Sequence, residues 1–116
     1  MKRGEIWIGA GAGYASKPRP VLILQDDSFP TASVTVIPFT SNPEPAPLIR
    51  LAVAPDAANG LSVPSSLMVD KITTTQRERI RQRVGRLDDR QMAQVNVLVA
   101  AFLGLGRGAR SSAETG

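Results

Sequence analysis

The feature of this sequence that most restricts its fold is a succession of short apolar segments, each followed within a few residues by glycine, proline or asparagine. Residues 4–9 alternate as a strand does, residues 21–24 are apolar on both faces like a buried central strand, and residues 34–39 form a third candidate strand. Pro38 lies inside the third segment and predicts an edge position or a bulge. Strands this short and closely spaced predict a small twisted sheet or barrel.

The middle of the chain continues this pattern. Residues 48–53 and 66–72 are β-like, and residues 84–87 predict a further short strand. Residues 56–60 have turn chemistry, with Asn59-Gly60 as the strongest local turn signal.

A helix is predicted only near the C-terminal end, over residues 88–103. Asp88 is placed to cap its first turn, with Gln91 at the position that completes a capping box. Gly104 marks its end. Four apolar residues recur at helical spacing and predict a core-facing stripe: Met92, Val95, Val99 and Phe102. These elements together predict an α+β, mostly β, fold.

Length and charge bound the function. A chain of 116 residues has room for one core. The net charge is +4 and the pI about 10.3, and seven of the fourteen basic residues lie between Lys71 and Arg90. A solvated charged surface is the ordinary explanation of such a run. The excess of arginine favours phosphate recognition, so nucleic acid or an acidic protein segment is the expected partner.

Cysteine and histidine are both absent from the sequence. Disulfides, thiolate nucleophiles, the usual zinc sites and imidazole acid–base catalysis are therefore excluded, and no cofactor or metal is expected. The composition fits a reducing cytosol. Residues 1–5 include an acid where a secretory signal would need apolar residues, and no apolar run is long enough for a bilayer, so no membrane partner is expected.

The glycines at 9, 11 and 13 invite comparison with a dinucleotide-binding loop. That loop needs a helix directly after it, whereas residues 14–20 contain two prolines and no helical pattern. A mobile loop that closes over a ligand is the preferred interpretation, with Tyr14 as a candidate for stacking on a base.

Three polar positions are candidates for a site. Arg19 lies between two prolines that stiffen its backbone, and it either binds an anion or shields a strand end. Thr40-Ser41 closes the third strand, where hydroxyls commonly satisfy turn backbone groups and are also able to donate to a phosphate. Asp70 follows an apolar run, and pairing with a nearby cation is its default role.

In order along the chain, these pieces resemble the MazF/PemK (Kid) family of toxin ribonucleases. The resemblance covers roughly residues 2–105. It rests on the following segments: Lys2-Arg3-Gly4-Glu5-Ile6-Trp7, Arg19-Pro20-Val21-Leu22-Ile23-Leu24, Val36-Ile37-Pro38-Phe39-Thr40-Ser41, Gly60-Leu61, Pro64-Ser65, Val69-Asp70-Lys71-Ile72, Val84-Gly85-Arg86-Leu87 and the closing helix to Leu103-Gly104-Leu105.

The resemblance implies an SH3-like small β-barrel of the CcdB/PemK kind with a C-terminal helix, as a toxin domain over residues 1–105 with a disordered tail over 106–116. It implies a cytoplasmic homodimer that cuts single-stranded RNA without a cofactor and is neutralised by an acidic, MazE-like antitoxin. Arg19, Thr40 and Asp70 map to catalytic positions. The residues expected to bind RNA are Tyr14, Ser16, Lys17, Ser41, Lys71 and Arg77. The loop over residues 9–17 is short and lacks the Gly-His-Glu or Gly-Ser-Glu stretch of some members.

RNA cleavage without metal requires a proton acceptor for the 2′-hydroxyl, a donor for the leaving 5′-oxygen and positive charge at the phosphorane. Arg19 suits the last task because a guanidinium stays charged and forks onto phosphate. Thr40 is expected to donate a hydrogen bond to a phosphate oxygen, and Asp70 either to accept the 2′ proton or to orient Arg19.

Two alternatives stay open at this stage. One is a gyrase-inhibiting toxin of the CcdB type, which shares the barrel but cuts nothing and lacks the Arg19-Pro20 and Thr40-Ser41 motifs. The other is a non-catalytic RNA-binding module, which would share the basic surface without needing Arg19, Thr40 and Asp70 to converge.

Overall fold

The structure is a computed structural model that describes residues 1–9, 18–42 and 49–106. Within this part, strands occupy most of the chain and one helix closes it. The elements are β1 (Glu5–Gly9), β2 (Arg19–Ile23), β3 (Ser33–Thr40), β4 (Arg50–Val53), β5 (Ser65–Met68), β6 (Thr73–Gln76), β7 (Ile80–Arg86) and α1 (Asp89–Leu103). Single 3₁₀ turns at Val69–Lys71 and Arg77–Arg79 follow β5 and β6.

All strand pairs are antiparallel and form one sheet with the order β4-β5-β3-β2-β1-β7, while β6 also pairs with β3. In the described residues β4 and β7 are the edges of this order, so backbone hydrogen bonds do not close the sheet into a complete barrel. β3 is the central element because it pairs with β2 on one side and with both β6 and β5 on the other. The mostly β fold with a C-terminal helix is as predicted.

The sheet buries both of its faces, because alternate residues of a strand point to opposite sides. The larger cluster contains Ile6, Leu22, Ile37 and Phe39 and is completed by the helix residues Met92 and Val95. The other face carries a smaller cluster, against which Trp7 packs: Val21, Ile23, Val34, Val36 and Ile80. Residues 21–23 are fully buried, as expected of a central strand.

Pro38 lies in the middle of the sheet rather than at an edge, because β3 has partners on both sides. On the β2 side it is registered with Val21. On the other side the partner changes at this point, since Val36 is registered with Thr73 of β6 and Phe39 with Leu67 of β5. Pro38 therefore occupies the interval between two partner strands, where the missing N–H of proline costs least.

The helix begins and ends as the sequence predicts. The Asp88 carboxylate accepts the Gln91 backbone N–H at 2.7 Å, and the Gln91 side chain accepts the Asp88 N–H at 3.2 Å, which completes the capping box. Gly104 ends the helix in the left-handed conformation. The core stripe is shorter than predicted. Phe102 lies in the last turn of the helix and is 43% exposed, because that turn extends past the residues that bury Met92 and Val95.

Four strands, β4 to β7, differ from the sequence prediction. β7 is longer than residues 84–87, and β6 was not predicted because its Thr-rich sequence has no apolar alternation. The predicted strand over residues 66–72 ends at Met68, where the chain enters a 3₁₀ turn. Of the predicted strand 48–53, residue 48 lies outside the described residues, Ile49 belongs to a turn, and Arg50–Val53 form β4.

The predicted turn at residues 56–60 joins β4 to the segment before β5. Asn59 is fully buried and satisfied: its Oδ1 accepts the N–H groups of Asp56 (3.1 Å) and Leu61 (2.9 Å), and its Nδ2 donates to the Ala54 carbonyl at 2.9 Å. β7 holds the turn from the other side, since the Arg86 N–H donates to the Ala58 carbonyl at 2.9 Å.

Candidate active site

Arg19 and Thr40 face each other at the ends of two neighbouring strands. β2 begins with Arg19 and β3 ends with Thr40. Val21 is registered with Pro38, and the same register carried two residues further puts Arg19 directly opposite Thr40. Directly opposed residues share a face, with Cβ atoms roughly 5 Å apart. The two side chains that the sequence singled out thus lie together.

The row continues beyond β3. Thr40 is registered with Ser66 of β5, and Ser66 in turn with Ala52 of β4. Four adjacent strands therefore present Arg19, Thr40, Ser66 and Ala52 in a line perpendicular to the strand direction. We call this line the cross-strand row. Phe39 and Leu67, the neighbours of Thr40 and Ser66, point the other way into the larger core cluster.

A cleft of about 370 Å³ opens over the first half of the row. Arg19 and Thr40 line it. A further part of the lining, which we call the wall, is the segment between the turn at 56–60 and β5, and it contributes Leu61, Ser62 and Val63. The remaining lining residues are Pro18, Pro20, Phe39, Ser41, Asn42 and Ser65. Within the described residues the lining has one full charge, that of Arg19, and several hydroxyls, a combination suited to an anion.

The wall of the cleft is held rigidly by the buried turn. Asn59 fixes the backbone at Leu61 through its side-chain hydrogen bond. Gly85 of β7 packs so tightly on this turn that a Cβ there would lie 2.3 Å from the Asn59 carbonyl carbon. The position of the wall therefore depends on β7, far along the chain from the cleft residues that it faces.

The Thr40 hydroxyl fills the turn role that the sequence left open, and it is still able to fill the donor role. Its Oγ1 accepts the Asn42 backbone N–H at 3.1 Å, which closes the turn after β3. A hydroxyl has two acceptor lone pairs and one donor, so this bond leaves the O–H able to donate. Thr40 is half-buried and lines the cleft.

Asp70 lies apart from the cleft. It follows the end of β5 in a 3₁₀ turn, and both of its oxygens are bound by Arg50 of β4, with Nε–Oδ1 at 3.2 Å and Nη2–Oδ2 at 3.3 Å. Burial raises the pKa of Asp70, but the hydrogen bonds from Arg50 and its positive charge outweigh that effect and hold the pKa below its ordinary value. Asp70 is thus ionised at neutral pH.

The structure thus places Asp70, the third predicted catalytic residue, away from Arg19 and Thr40. Ser66, next to Thr40, begins the stretch that leads along β5 to Asp70, so Asp70 lies past the other end of that strand. Sequence reasoning could not name Arg50 as the partner of Asp70, because only the pairing of β4 with β5 puts Arg50 beside Met68.

The predicted RNA-binding residues are spread over the molecule. Ser41 lines the cleft beside Thr40. Lys71 is exposed next to Asp70. Arg77 lies near the other end of β3, where its backbone N–H donates to Ala32 at 3.2 Å and its guanidinium to the carbonyls of Phe29 and Thr31. Arg77 thus holds the chain before β3. Tyr14, Ser16 and Lys17 lie outside the described residues.

Apart from Ser41, the serines that line the cleft were not among the predicted site residues. Ser62 and Ser65 reach the cleft from the segment before β5 and its first residue, and Ser66 extends the cross-strand row. Their one sequence signal is that serines cluster in residues 62–66, a pattern that a turn explains equally well.

Comparison with known proteins decides the family. Residues 2–103 match the family described as PemK-like, MazF-like toxin of type II toxin–antitoxin system. The chain belongs to this toxin family. A relative from Mycolicibacterium smegmatis (strain ATCC 700084 / mc(2)155), named probable endoribonuclease MazF, is 50% identical over 107 residues, which cover 90% of this chain and 98% of that protein.

Solved structures of MazF toxins have the same fold. The Mycobacterium tuberculosis toxin MazF-mt6 is 26% identical with a TM-score of 0.75, and the match covers 87% of this chain and 97% of that one. A chain from MazE–MazF of Deinococcus radiodurans is 20% identical with a TM-score of 0.71, over 91% and 97% of the two chains. In the described residues of this MazF-family chain no helix is long and apolar enough to cross a bilayer.

Proposed function

We propose that this member of the PemK/MazF toxin family is an endoribonuclease that cuts single-stranded RNA without a metal ion, in the cleft between Arg19 and Thr40. The observation that carries the proposal is that Arg19, at the start of β2, and Thr40, at the end of the neighbouring β3, line one cleft. The name of the half-identical M. smegmatis relative, an endoribonuclease, supports the same activity.

Arg19 supplies the positive charge of the reaction. In the proposed step the RNA 2′-oxygen attacks the adjacent phosphorus, the 2′ proton passes to a base, and the 5′-oxygen leaves and takes up a proton. The products are a 2′,3′-cyclic phosphate and a 5′-hydroxyl. Charge accumulates on the non-bridging phosphate oxygens during the attack, and a guanidinium binds two such oxygens at once. Pro18 and Pro20 restrict the backbone on both sides of Arg19.

Thr40 completes the oxyanion site. Its hydroxyl proton is directed to a phosphate oxygen while its acceptor side holds the Asn42 N–H. The oxygen of the donor is therefore held in place before RNA binds, and a preorganised donor is the kind that contributes most to a developing oxyanion.

Asp70 stays our candidate for the proton acceptor. The Arg50 contact keeps it ionised, which is the form that a base requires, although a low pKa makes it a weak base. Asp70 acts in this way only if its carboxylate comes within hydrogen-bond reach of the 2′-hydroxyl beside the phosphate that Arg19 and Thr40 bind. The pH profile described in the Discussion tests this assignment separately from those of Arg19 and Thr40.

We further propose that the toxin works in the cytoplasm as a homodimer and is neutralised by an acidic antitoxin. The family is defined by toxins of toxin–antitoxin pairs, and the net charge of +4 favours an acidic partner. Inhibition of translation and growth follows if messenger RNA is the substrate. Single-stranded RNA is the proposed substrate class, and a cleft of about 370 Å³ with Arg19 and several hydroxyls in its lining suits a single phosphodiester strand.

The decisive test is incubation of purified protein with naked transcripts in excess EDTA, without ribosomes or gyrase. We expect sequence-selective cuts with 2′,3′-cyclic phosphate and 5′-hydroxyl ends, and sequencing of the 5′ ends gives the recognised bases. Loss of cleavage in EDTA, or 3′-hydroxyl products, would refute the metal-independent mechanism. Intact RNA combined with inhibition of gyrase supercoiling would instead support the CcdB-type alternative, and RNA binding without cleavage the non-catalytic module.

A further inference from the structure

A second hollow adjoins the cleft on the far side of Thr40. It measures about 250 Å³, and Ala52, Pro64 and Ser66 line it together with Thr40, Ser41 and Ser65, which it shares with the cleft. The two depressions therefore form a continuous path over the cross-strand row, with Thr40 at the junction.

Ser66 is the hydroxyl residue that lines this second hollow and not the cleft. It is registered directly opposite Thr40, so the two side chains lie on the same face of β3 and β5. Its neighbour Ser65 already donates its Oγ–H to the Val63 carbonyl at 3.0 Å. The Ser66 hydroxyl, half-buried, makes no hydrogen bond within the described part of the chain, and its donor is available to a ligand.

The chemistry of the hollow favours the RNA backbone over a base. Hydroxyls and small apolar groups line it in the described residues, and it contains no aromatic ring on which a base would stack. Ala52, the next residue of the row, is exposed and leaves the far end open for the chain to continue. A neighbouring strand lies roughly 5 Å away, so Ser66 is within reach of the nucleotide next to the one held at Thr40.

We propose that Ser66 donates a hydrogen bond to a non-bridging oxygen of the phosphodiester that flanks the scissile one, which makes the second hollow the subsite for the adjacent nucleotide. This inference rests on the proposed ribonuclease function and gives RNA its path across β3, β5 and β4.

A flanking phosphate keeps its charge throughout the reaction, whereas the scissile phosphate gains charge only in the transition state. A contact to the flanking group therefore contributes equally to substrate and transition-state binding, and its loss raises KM while kcat is kept. Loss of the Thr40 contact lowers kcat. A variant that changes KM alone therefore marks the subsite, and a variant that lowers kcat marks the reaction centre.

The experiment compares Ser66→Ala, Ser66→Thr and the control Ser33→Ala. Ser33 is also half-buried in a strand but lies at the opposite end of β3. On an oligoribonucleotide containing the mapped cut site, we expect Ser66→Ala to raise KM about tenfold or more with kcat nearly unchanged. Ser66→Thr restores the hydroxyl and the KM, and Ser33→Ala behaves as wild type.

A chemical change in the RNA makes the test specific for the phosphate. Oligonucleotides with one neutral methylphosphonate, on either side of the cut site, remove the charged oxygen that Ser66 is proposed to bind. One of them should raise the wild-type KM to the level of Ser66→Ala and leave the KM of that variant unchanged. If each methylphosphonate raised the KM of Ser66→Ala as much as it raises the KM of the wild type, the proposal would be overturned.

Ala52→Glu and Ala52→Gln provide an independent test at an exposed position. The two side chains are nearly equal in size, but only glutamate brings a negative charge toward the path of the phosphates. We expect a larger rise in KM for Ala52→Glu than for Ala52→Gln, a difference that disappears at high salt. Equal effects would show that RNA does not cross β4.

The outcomes also distinguish failure of the subsite proposal from failure of the ribonuclease proposal. Wild-type protein that cuts RNA, together with a Ser66→Ala variant of unchanged KM, would refute the subsite and leave the ribonuclease function intact. Wild-type protein that leaves every RNA intact would refute both.

Discussion

Arg50 binds both carboxylate oxygens of Asp70, with nitrogen–oxygen distances of 3.2 and 3.3 Å, and thereby joins β4 to the 3₁₀ turn after β5. The side chains of Arg50 and Asp70 are only 13% and 21% exposed. Limited access to water strengthens such a pair relative to one on the surface. It also makes the loss of either partner costly, because the other charge stays half-buried.

Asp70 should make the free energy of unfolding depend on pH in the acidic range. Its pKa is lower in the folded protein than in the unfolded chain, so the ionised form stabilises the fold above roughly pH 4, and this contribution is lost as the pH falls through the folded pKa. We expect Asp70→Asn to lower the unfolding free energy at pH 7 by about 1–2 kcal/mol. Urea denaturation should show that difference shrinking toward pH 3. A difference independent of pH would contradict the ion-pair account.

The same pair tests Asp70 as the proton acceptor. Arg50→Gln removes the cation that lowers the pKa of Asp70, so that pKa should rise. If Asp70 is the base, the acidic limb of the kcat/KM profile moves to higher pH in Arg50→Gln, and Asp70→Asn loses at least about 10² in kcat. If the acidic limb does not move in Arg50→Gln and Asp70→Asn keeps a near-normal kcat, Asp70 has only a structural role, as the partner of Arg50.

Arg19→Ala should lose at least roughly 10²–10³ in kcat/KM while the protein stays folded, because one preorganised donor to the oxyanion contributes about that much. Arg90→Ala is the matched control, since Arg90 is exposed on the helix and its loss changes the net charge equally. Rates on a defined oligonucleotide, with circular dichroism to check the fold, provide the comparison. Cleavage by Arg19→Ala at the wild-type rate would remove Arg19 from the site.

Thr40→Ala should lower kcat by about 10² and destabilise the protein by roughly 1 kcal/mol, because it removes both the phosphate donor and the acceptor for the Asn42 N–H. Thr40→Ser keeps both groups and should retain most of the activity. Single-turnover rates and thermal unfolding measure the two effects separately. Equal kcat values for Thr40→Ala and Thr40→Ser would show that the hydroxyl does not contact the reacting phosphate.

Gly60 should be far less tolerant of substitution than Gly104, although both have a left-handed backbone. A Cβ at Gly60 would lie 2.0 Å from the Val84 carbonyl oxygen, whereas at Gly104 it meets nothing within 4 Å. We expect Gly60→Ala to cost about 3 kcal/mol or more and Gly104→Ala about 1 kcal/mol. Chemical denaturation measures both. Similar costs would show that the turn and β7 separate easily.

The sequence predicts local structure well wherever neighbouring residues determine it. The capping box at Asp88 and Gln91 involves residues three apart, and the turn at Asn59 depends on its own side chain, so both are observed as predicted. Phe102 is exposed in spite of its helical spacing, because periodicity defines a face of the helix without saying how far the sheet beneath it extends.

The candidate site, too, was predictable from the sequence only in part. The residue types, together with the resemblance to the toxin family, were enough to single out Arg19 and Thr40, because a guanidinium and a hydroxyl both bind phosphate and this chain has no histidine for acid–base catalysis. They could not show that Ser66 adjoins Thr40 or that Arg50 binds Asp70. Both facts arise from the register of β5 with β3 and β4, which is set by packing between residues distant in the chain.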